Sequence, residues 1–271
     1  MKQGLLSEVI YQAFALVIAV IIVHATYVTL IRPNAEDILE DQAELHELDE
    51  NYVPERSVYI ILKDYEQETC IILMLWAMAI IGMKTQQILR ERSLLEQRLI
   101  QISDGMSILP EDSRNLARPV QALPEQQRGF LLSRALLAGL HRFQSTHNIQ
   151  DVAATIKDVC ETESDRLETE LALVRYIAWA IPSIGFLGTV RGIGAALGQA
   201  YQAVSGDIIG VTVSLGVAFN STFVALVVSI LLMFLLHQLQ LLQDRLVLDT
   251  QNYCDANLVN YMQVPDKEAH V

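Results

Sequence analysis

Four stretches of this chain are too long and too apolar to be left in water, and they constrain its fold more than anything else in it. They run from about Val9 to Ile31, from Cys70 to Met83, from about Tyr176 to Val204 and from about Ile208 to Leu236. At ~1.5 Å per residue, the first is a helix long enough to cross roughly 30 Å of hydrocarbon. The last two, of 29 residues each, exceed that length, which implies tilt or projection beyond the lipid. The second, "CIILMLWAMAIIGM", is short enough for a buried core helix. Polar helix-forming sequence flanks it on both sides, so it is read as a span whose helix continues past the bilayer. The first segment is too long for a signal peptide, and no small-residue cleavage site follows "YVTLIRPNAED".

Composition agrees. Of 271 residues 52% are hydrophobic, and the mean hydropathy of +0.30 is high for a soluble domain. A net charge of −13 argues against nucleic-acid binding, which requires a basic face. Cys70, Cys160 and Cys254 lie far apart and without metal-ligand spacing, so they are read as free thiols. No cofactor and no metal is expected. Nor is an enzyme: there is no P-loop, no HExxH and no nucleophile–base constellation.

Loop charges set an expected orientation. Residues 32–69 hold twelve acidic and three basic residues, whereas 84–170 hold eleven basic ones, beginning with Lys84, Arg90, Arg92 and Arg98. Basic residues near span ends stay inside. The acidic loop is therefore expected outside, with residues 84–170 and both termini in the cytoplasm and the turn at Ser205-Gly206-Asp207 facing outward. The chain divides as 1–31 (first span), 32–69 (acidic loop, with "NAEDILEDQAELHELDEN" a short acidic helix or a solvated charged face), 70–83 (second span), 84–170 (cytoplasmic helices), 171–204 (third span), 205–240 (fourth span) and 241–271 (cytoplasmic helix and tail). The fold class is an all-α membrane protein with four transmembrane helices and long cytoplasmic helical extensions. Within 84–170, a helix is expected from Lys84 to about Ser103, a connection broken by Pro110, Pro119 and Pro124, a helix over "EQQRGFLLSRALLAGLHRF", and one capped by Asp151 running into the third span.

The third and fourth spans carry the informative pattern. Gly185, Thr189, Gly192, Ala196 and Gln199 recur at steps of four and three, one small-or-polar stripe; Ser214, Ala218, Ser221 with Thr222, Ala225 and Ser229 form another. Phe186, Val190, Ile193, Leu215, Phe219, Phe223, Leu226 and Ile230 occupy the opposite faces. Small residues let helices approach closely in lipid. The stripes suit two arrangements: a tight seam whose hydroxyls bond their own backbone carbonyls, or a pore wall whose hydroxyls face water or another helix. Neither span has Asp or Glu in its core. His24 and Arg191 are the titratable candidates at depth, so a proton path through this chain needs a carboxylate from a partner.

"GFLGTVRGIGAALGQA" resembles the MotA, TolQ and ExbB proton-channel family, whose penultimate span has a glycine-threonine-valine-x-glycine signature. Gly188, Thr189, Val190 and Gly192 match it, and "LGVAFNSTFVAL" is similar to the family's last span. The resemblance covers about residues 170–240; four spans are similar to the flagellar-stator layout, while the late motif is closer to the TolQ and ExbB type. It implies a ring of five copies in the bacterial inner membrane around two single-span partners of the ExbD, TolR or MotB type. An aspartate on each partner takes up and releases the transported ion, H+ or Na+, and the ring converts the ion gradient into mechanical work. Carried over, Thr189, Thr222 and neighbouring Ser221 contact the partner's carboxylate or line the ion's route. Gly188 and Gly192 let the partner helix approach, and Pro182 kinks the start of the third span. The basic helices with Arg90, Arg92 and Arg98 would contact a rotor or anionic lipid. A non-conducting membrane scaffold is the competing reading.

Arg191 departs from the commoner family pattern. A charge well inside a span costs about 2.5 kcal/mol or more unless paired or snorkelling, and it points ~200° from Thr189 on the helix. Three readings stand: snorkelling, an ion pair with an acid of another span or subunit, or a role near the partner's aspartate.

Overall fold

The computed structural model describes residues 2–48, 56–97, 99–100, 107–204 and 208–264. The turn Ser205-Gly206-Asp207 and Arg98 lie outside the described residues. Helix α1 (Lys2–Thr26) passes through a π turn (Tyr27–Ile31) directly into α2 (Arg32–Leu48). Then come α3 (Val58–Leu62), α4 (Tyr65–Leu95), a short 3₁₀ turn (Pro110–Asp112), α5 (Ser113–Gln121), α6 (Glu125–Arg128), α7 (Leu131–Thr146), α8 (Ile149–Glu170), α9 (Ala172–Gly198), α10 (Ala200–Val204) and α11 (Ile209–Asn257). Among the described residues there is no strand, and four helical stretches are long and apolar enough to cross a membrane: Leu6–Leu45, Tyr65–Leu95, Ile149–Gly198 and Gly210–Tyr261.

Residues 1–82 with 173–236 form one compact unit, and residues 83–172 with 237–271 form another. In the first, the helix of the first apolar segment does not stop at Ile31. The π turn takes up the irregularity that Pro33 introduces, and the acidic stretch after it is helix through Leu48. Long-range bonds tie α1 to α4, among them Trp76 Nε1 donating to the Gln12 carbonyl at 2.9 Å and Tyr11 Oη to that of Ala79 at 3.4 Å. Cys70 is buried and its thiol donates to the Ile181 carbonyl of α9 at 3.7 Å.

The second unit has a conventional apolar core of Leu94, Val120, Leu131, Leu136, Leu140, Phe143, Val152 and Ile156, with the buried thiols Cys160 and Cys254 among them. Several expected helix boundaries move. The helix begun in α4 ends at Leu95 rather than near Ser103. Pro119 sits inside α5, whereas Pro110 opens the 3₁₀ turn and Pro124 precedes α6. The helix expected over "EQQRGFLLSRALLAGLHRF" is split at Gly129 and Phe130, where Phe130 is extended and the Leu131 N–H is accepted by the Glu91 carboxylate at 3.1 Å. Glycine weakens a helix interior, and Glu91 supplies a partner for one of the N–H groups a new helix start exposes. Lys84 Nζ is buried against Glu170 at 2.6 Å, and Arg92, one of the three arginines expected to face lipid or a rotor, meets Asp249 within the chain at 3.3 Å. Buried Glu163 gathers Arg134 and Arg166.

Asn148, not Asp151, caps α8. Its side chain accepts from the N–H groups of Gln150 (2.9 Å) and Asp151 (3.5 Å), while Asp151 lies one turn inside and faces Arg142 at 3.7 Å. His147 before it adopts a left-handed conformation (φ 50°) and closes α7. Asn148→Ala is therefore expected to destabilise the second unit by about 1 kcal/mol, and Asp151→Ala by less, because an exposed pair is worth little. Thermal unfolding of the detergent-solubilised chain followed by circular dichroism compares the two; a larger loss for Asp151→Ala would reverse the assignment.

Candidate functional site

The two stripes meet. Helices α9 and α11 cross where Gly185, Gly188 and Gly192 face Ala225, Ser221 and Ala218. A Cβ at Gly192 would stand 2.7 Å from the Ala218 backbone nitrogen and the Ser214 carbonyl, and one at Gly188 would stand 2.5 Å from Ser221 Cβ. At Gly185 it would collide with Ala225 Cβ. No side chain fits at these three positions without shifting a helix. Ala196, Ala218 and Ala225 are buried alongside, and Ser221 is buried with its hydroxyl donating to its own helix at Val217 (2.9 Å).

At the centre of the crossing, Thr189 and Thr222 join hydroxyl to hydroxyl. The Thr189 hydroxyl also lies 3.2 Å from the Ala218 carbonyl and 3.3 Å from that of Gly185, and Thr222 lies 3.2 Å from the same Gly185 carbonyl. Two hydroxyls carry two hydrogens between them, so they cannot serve each other and both carbonyls at once. One of these contacts always goes without a hydrogen from the pair, so the two hydroxyls have more than one way to share their hydrogens. Both threonines are half-buried, so one side of the pair is open. The opposite faces are exposed at Phe186, Val190, Ile193, Phe219, Phe223, Leu226 and Ile230; Leu215 is half-buried.

Lower on the seam, Pro182 lies within α9 and has no N–H to give the Ala178 carbonyl. Ser229 Oγ of α11 donates to that carbonyl at 3.3 Å. The polar stripe on α11 thus compensates a defect in α9. At the other end Gln199 Nε2 approaches Ser214 Oγ at 3.5 Å.

Arg191 points away from the threonine pair, as the helical wheel requires, and is held by an ion pair. Its Nε and one terminal nitrogen grip the two oxygens of Glu66 at 2.7 and 2.8 Å, with Asp64 3.7 Å away. Of the three readings, the ion pair with an acid of another helix is the one observed. Its acid went unnoticed because the apolar run begins only at Cys70, whereas α4 begins at Tyr65 and carries Glu66 and Glu68 in its first turn, where the helix dipole favours them. Glu68, with a side chain only 7% exposed, takes His24 Nδ1 at 2.7 Å on one oxygen and Arg32 on the other. His24 is thus hydrogen-bonded rather than solitary. Glu66 also reaches the seam: its Cγ would be 3.2 Å from a Cβ at Gly188, the same point that Ser221 Oγ approaches at 2.6 Å. The late spans contain no acid, but an acid of this chain packs against their crossing.

Residues 128–252 match the model of the MotA/TolQ/ExbB proton channel family. Over this stretch, the chain is similar to that family. The match, just under half the chain, contains α7 to α10 and most of α11, and so the whole glycine crossing and its threonine pair; α1 to α4 fall outside it. No curated protein and no solved structure matches the chain. Four apolar helices and this family make it a multi-pass membrane protein.

The glycines divide into two groups with opposite expectations. Gly188→Ala places a methyl into Ser221 and is expected to lower the thermal stability of the solubilised chain by about 1–3 kcal/mol, the cost of overpacking. At Gly194 nothing stands within 4 Å of a new Cβ, so Gly194→Ala is expected to be neutral or to raise stability by up to ~1 kcal/mol through helix propensity. Melting curves of the two variants side by side test the seam.

Proposed function

We propose that this protein is the ring-forming, ion-conducting subunit of a membrane motor. In this reading five copies surround two copies of a single-span partner of the ExbD, TolR or MotB type, and the ion gradient is converted into mechanical work. The observation that carries it is the Thr189–Thr222 hydroxyl pair, half-open at a glycine-lined crossing within the family-matched stretch. Such a pair can turn one hydroxyl toward a carboxylate arriving from the open side and recover its remaining bonds from the Gly185 and Ala218 carbonyls. When ionised, the partner's aspartate takes a charge-assisted hydrogen bond there, stronger than a neutral one; once it binds an ion, that advantage falls away and the helices can move on. Ser221 stands beside the pair, and Gly188 and Gly192 keep the crossing narrow.

The chain is assigned to the bacterial inner membrane, with residues 84–170 and both termini cytoplasmic by the basic residues they carry. A membrane scaffold without ion flow is the second reading. It is favoured by one fact: every hydroxyl of the crossing already has a partner within this chain.

Thr189→Val and Thr222→Val keep the shape and remove the hydroxyl. Co-expressed with its single-span partner and reconstituted in proteoliposomes, either variant is expected to conduct about tenfold less or worse, since a hydrogen bond to a charged group is worth ~1.5–3 kcal/mol. Native mass spectrometry is expected to find the complex intact. Unchanged flux supports the scaffold; a dispersed complex means the hydroxyls serve only the seam.

A further inference from the structure

The second unit contains a cavity of about 660 Å³ between α5 and α7, which the conducting reading does not use. That volume falls within the roughly 300–1,000 Å³ range of small-molecule sites. Both helices turn the same spacing into it. Arg114, Arg118 and Gln121 follow at steps of four and three on α5, as do Leu137, His141 and Gln144 on α7, and residues so spaced share a helix face. Ala117, Ala138 and Leu140 complete the apolar part of the lining. The last lining residue is Ser113 at the start of α5. It is only 2% exposed, and its hydroxyl has no hydrogen-bond partner among the described residues.

No carboxylate lines this cavity, although acids outnumber lysines and arginines in the chain by 32 to 19. Other arginines of the same unit hold acids of the chain: Arg92 pairs with Asp249, Arg134 and Arg166 with Glu163, and Arg142 with Asp151. Arg114 and Arg118 have no such partner among the described residues. Asp112, next to Ser113 in sequence, spends a carboxylate oxygen on the Leu109 N–H at 3.1 Å. Two guanidiniums one helical turn apart repel each other, so α5 carries a cost that a bound anion relieves.

The donors decide which anion. Two guanidiniums, two amides, an imidazole and the Ser113 hydroxyl, whose hydrogen turns to suit its partner, can all donate. Their complement is a group rich in acceptors. A carboxylate presents two oxygens and one charge. A phosphate monoester presents three terminal oxygens and up to two charges, and a guanidinium takes two such oxygens through parallel N–H groups. Phosphate alone would leave the apolar part of the lining uncovered, so the phosphate carries an organic body.

We propose that this cavity binds a phosphate monoester. Arg114 and Arg118 hold the phosphate, Gln121, His141, Gln144 and Ser113 supply further donors, and Leu137, Ala138 and Leu140 receive the organic body. That body belongs to a soluble small molecule or to a lipid headgroup; the phosphate chemistry is common to both. Helix α5 lies outside the family-matched stretch and α7 within it, so half of the site falls beyond the shared pattern. Nothing in the proposal depends on ion conduction.

The full chain in phosphatidylcholine nanodiscs, titrated by calorimetry with butyl phosphate at constant ionic strength, tests this. Saturable binding is expected. It is expected to be tighter than that of inorganic phosphate, which has no organic body, and of pentanoate, which has the body on a carboxylate. Arg114→Gln and Arg118→Gln are each expected to lower the affinity about tenfold or more, as the loss of a hydrogen bond to a charged group does. Arg142→Gln, the same change on α7 at a residue outside the lining, is expected to leave it in place. Ser113→Ala is expected to weaken binding by less and to leave the melting temperature unchanged, since its hydroxyl has no bond to lose. Ala138→Leu narrows the cavity and keeps every donor. It is expected to weaken butyl phosphate more than inorganic phosphate, and it carries the test if the arginine variants fail to fold. Adding phosphatidic acid to the nanodiscs distinguishes the sources. Butyl phosphate displaced by that lipid assigns the site to a headgroup, and undiminished binding assigns it to a soluble ligand. Absence of saturable binding, equal affinity for pentanoate, or equal losses in Arg142→Gln and Arg114→Gln overturns the proposal.

Discussion

How near α9 and α11 come to each other decides what their side chains can do. Three glycines at steps of three and four leave α9 without a side chain at the points where α11 comes closest. The facing positions on α11 are then restricted to alanine, serine and threonine. In lipid there is little hydrophobic gain in bringing two helices together, so contact area and hydrogen bonds must hold them. The approach provides both. It places the Thr189 and Thr222 hydroxyls within bonding distance of each other and of carbonyls on both helices, and it lets Ser229 reach the carbonyl that Pro182 leaves without a partner. A wider crossing would lose all of these bonds together, which makes the glycines a condition for the hydroxyl pair.

The stripes were legible in the sequence because a helix repeats every 3.6 residues and the small residues keep that period on both spans. What periodicity cannot reveal is which of two uses a stripe has. The structure shows the stripes pressed together with the threonines half-open, so the seam and an accessible hydroxyl pair coexist at one crossing. The Asn148 cap was missed for a simpler reason. Asp151 and Asn148 are both good capping residues, and the choice turns on His147 taking a left-handed backbone, which leaves Asn148 as the first residue able to turn its side chain onto the new helix.

The acids of α4 were missed because hydropathy marks where a helix becomes apolar, not where it begins. Tyr65 to Thr69 look like loop by composition. They are helix, and the first turn of a helix tolerates acidic residues well. Their counter-charges, Arg191 and Arg32, lie 125 and 36 residues away in sequence. No local pattern announces a pairing over such separations. The only hint was negative: an arginine in an apolar span requires a partner, and the late spans contain no acid.

That requirement bears on how the chain's two halves depend on each other. The family match covers the crossing and leaves out α1 to α4, as if the early helices were an attachment. Yet Arg191 sits in the matched stretch and its counter-charge does not. Its Nε and terminal nitrogen take both oxygens of one carboxylate, a fork that lysine cannot reproduce. Remove Glu66 and a cation is left on an apolar helix; remove Arg191 and a carboxylate is left against Gly188 and Ser221 with Asp64 beside it. Breaking either partner of such a pair costs more than never having built it. The acidic start of α4 and the arginine of α9 therefore form one unit of charge, and α4 is part of the crossing's construction even though the family pattern does not extend to it.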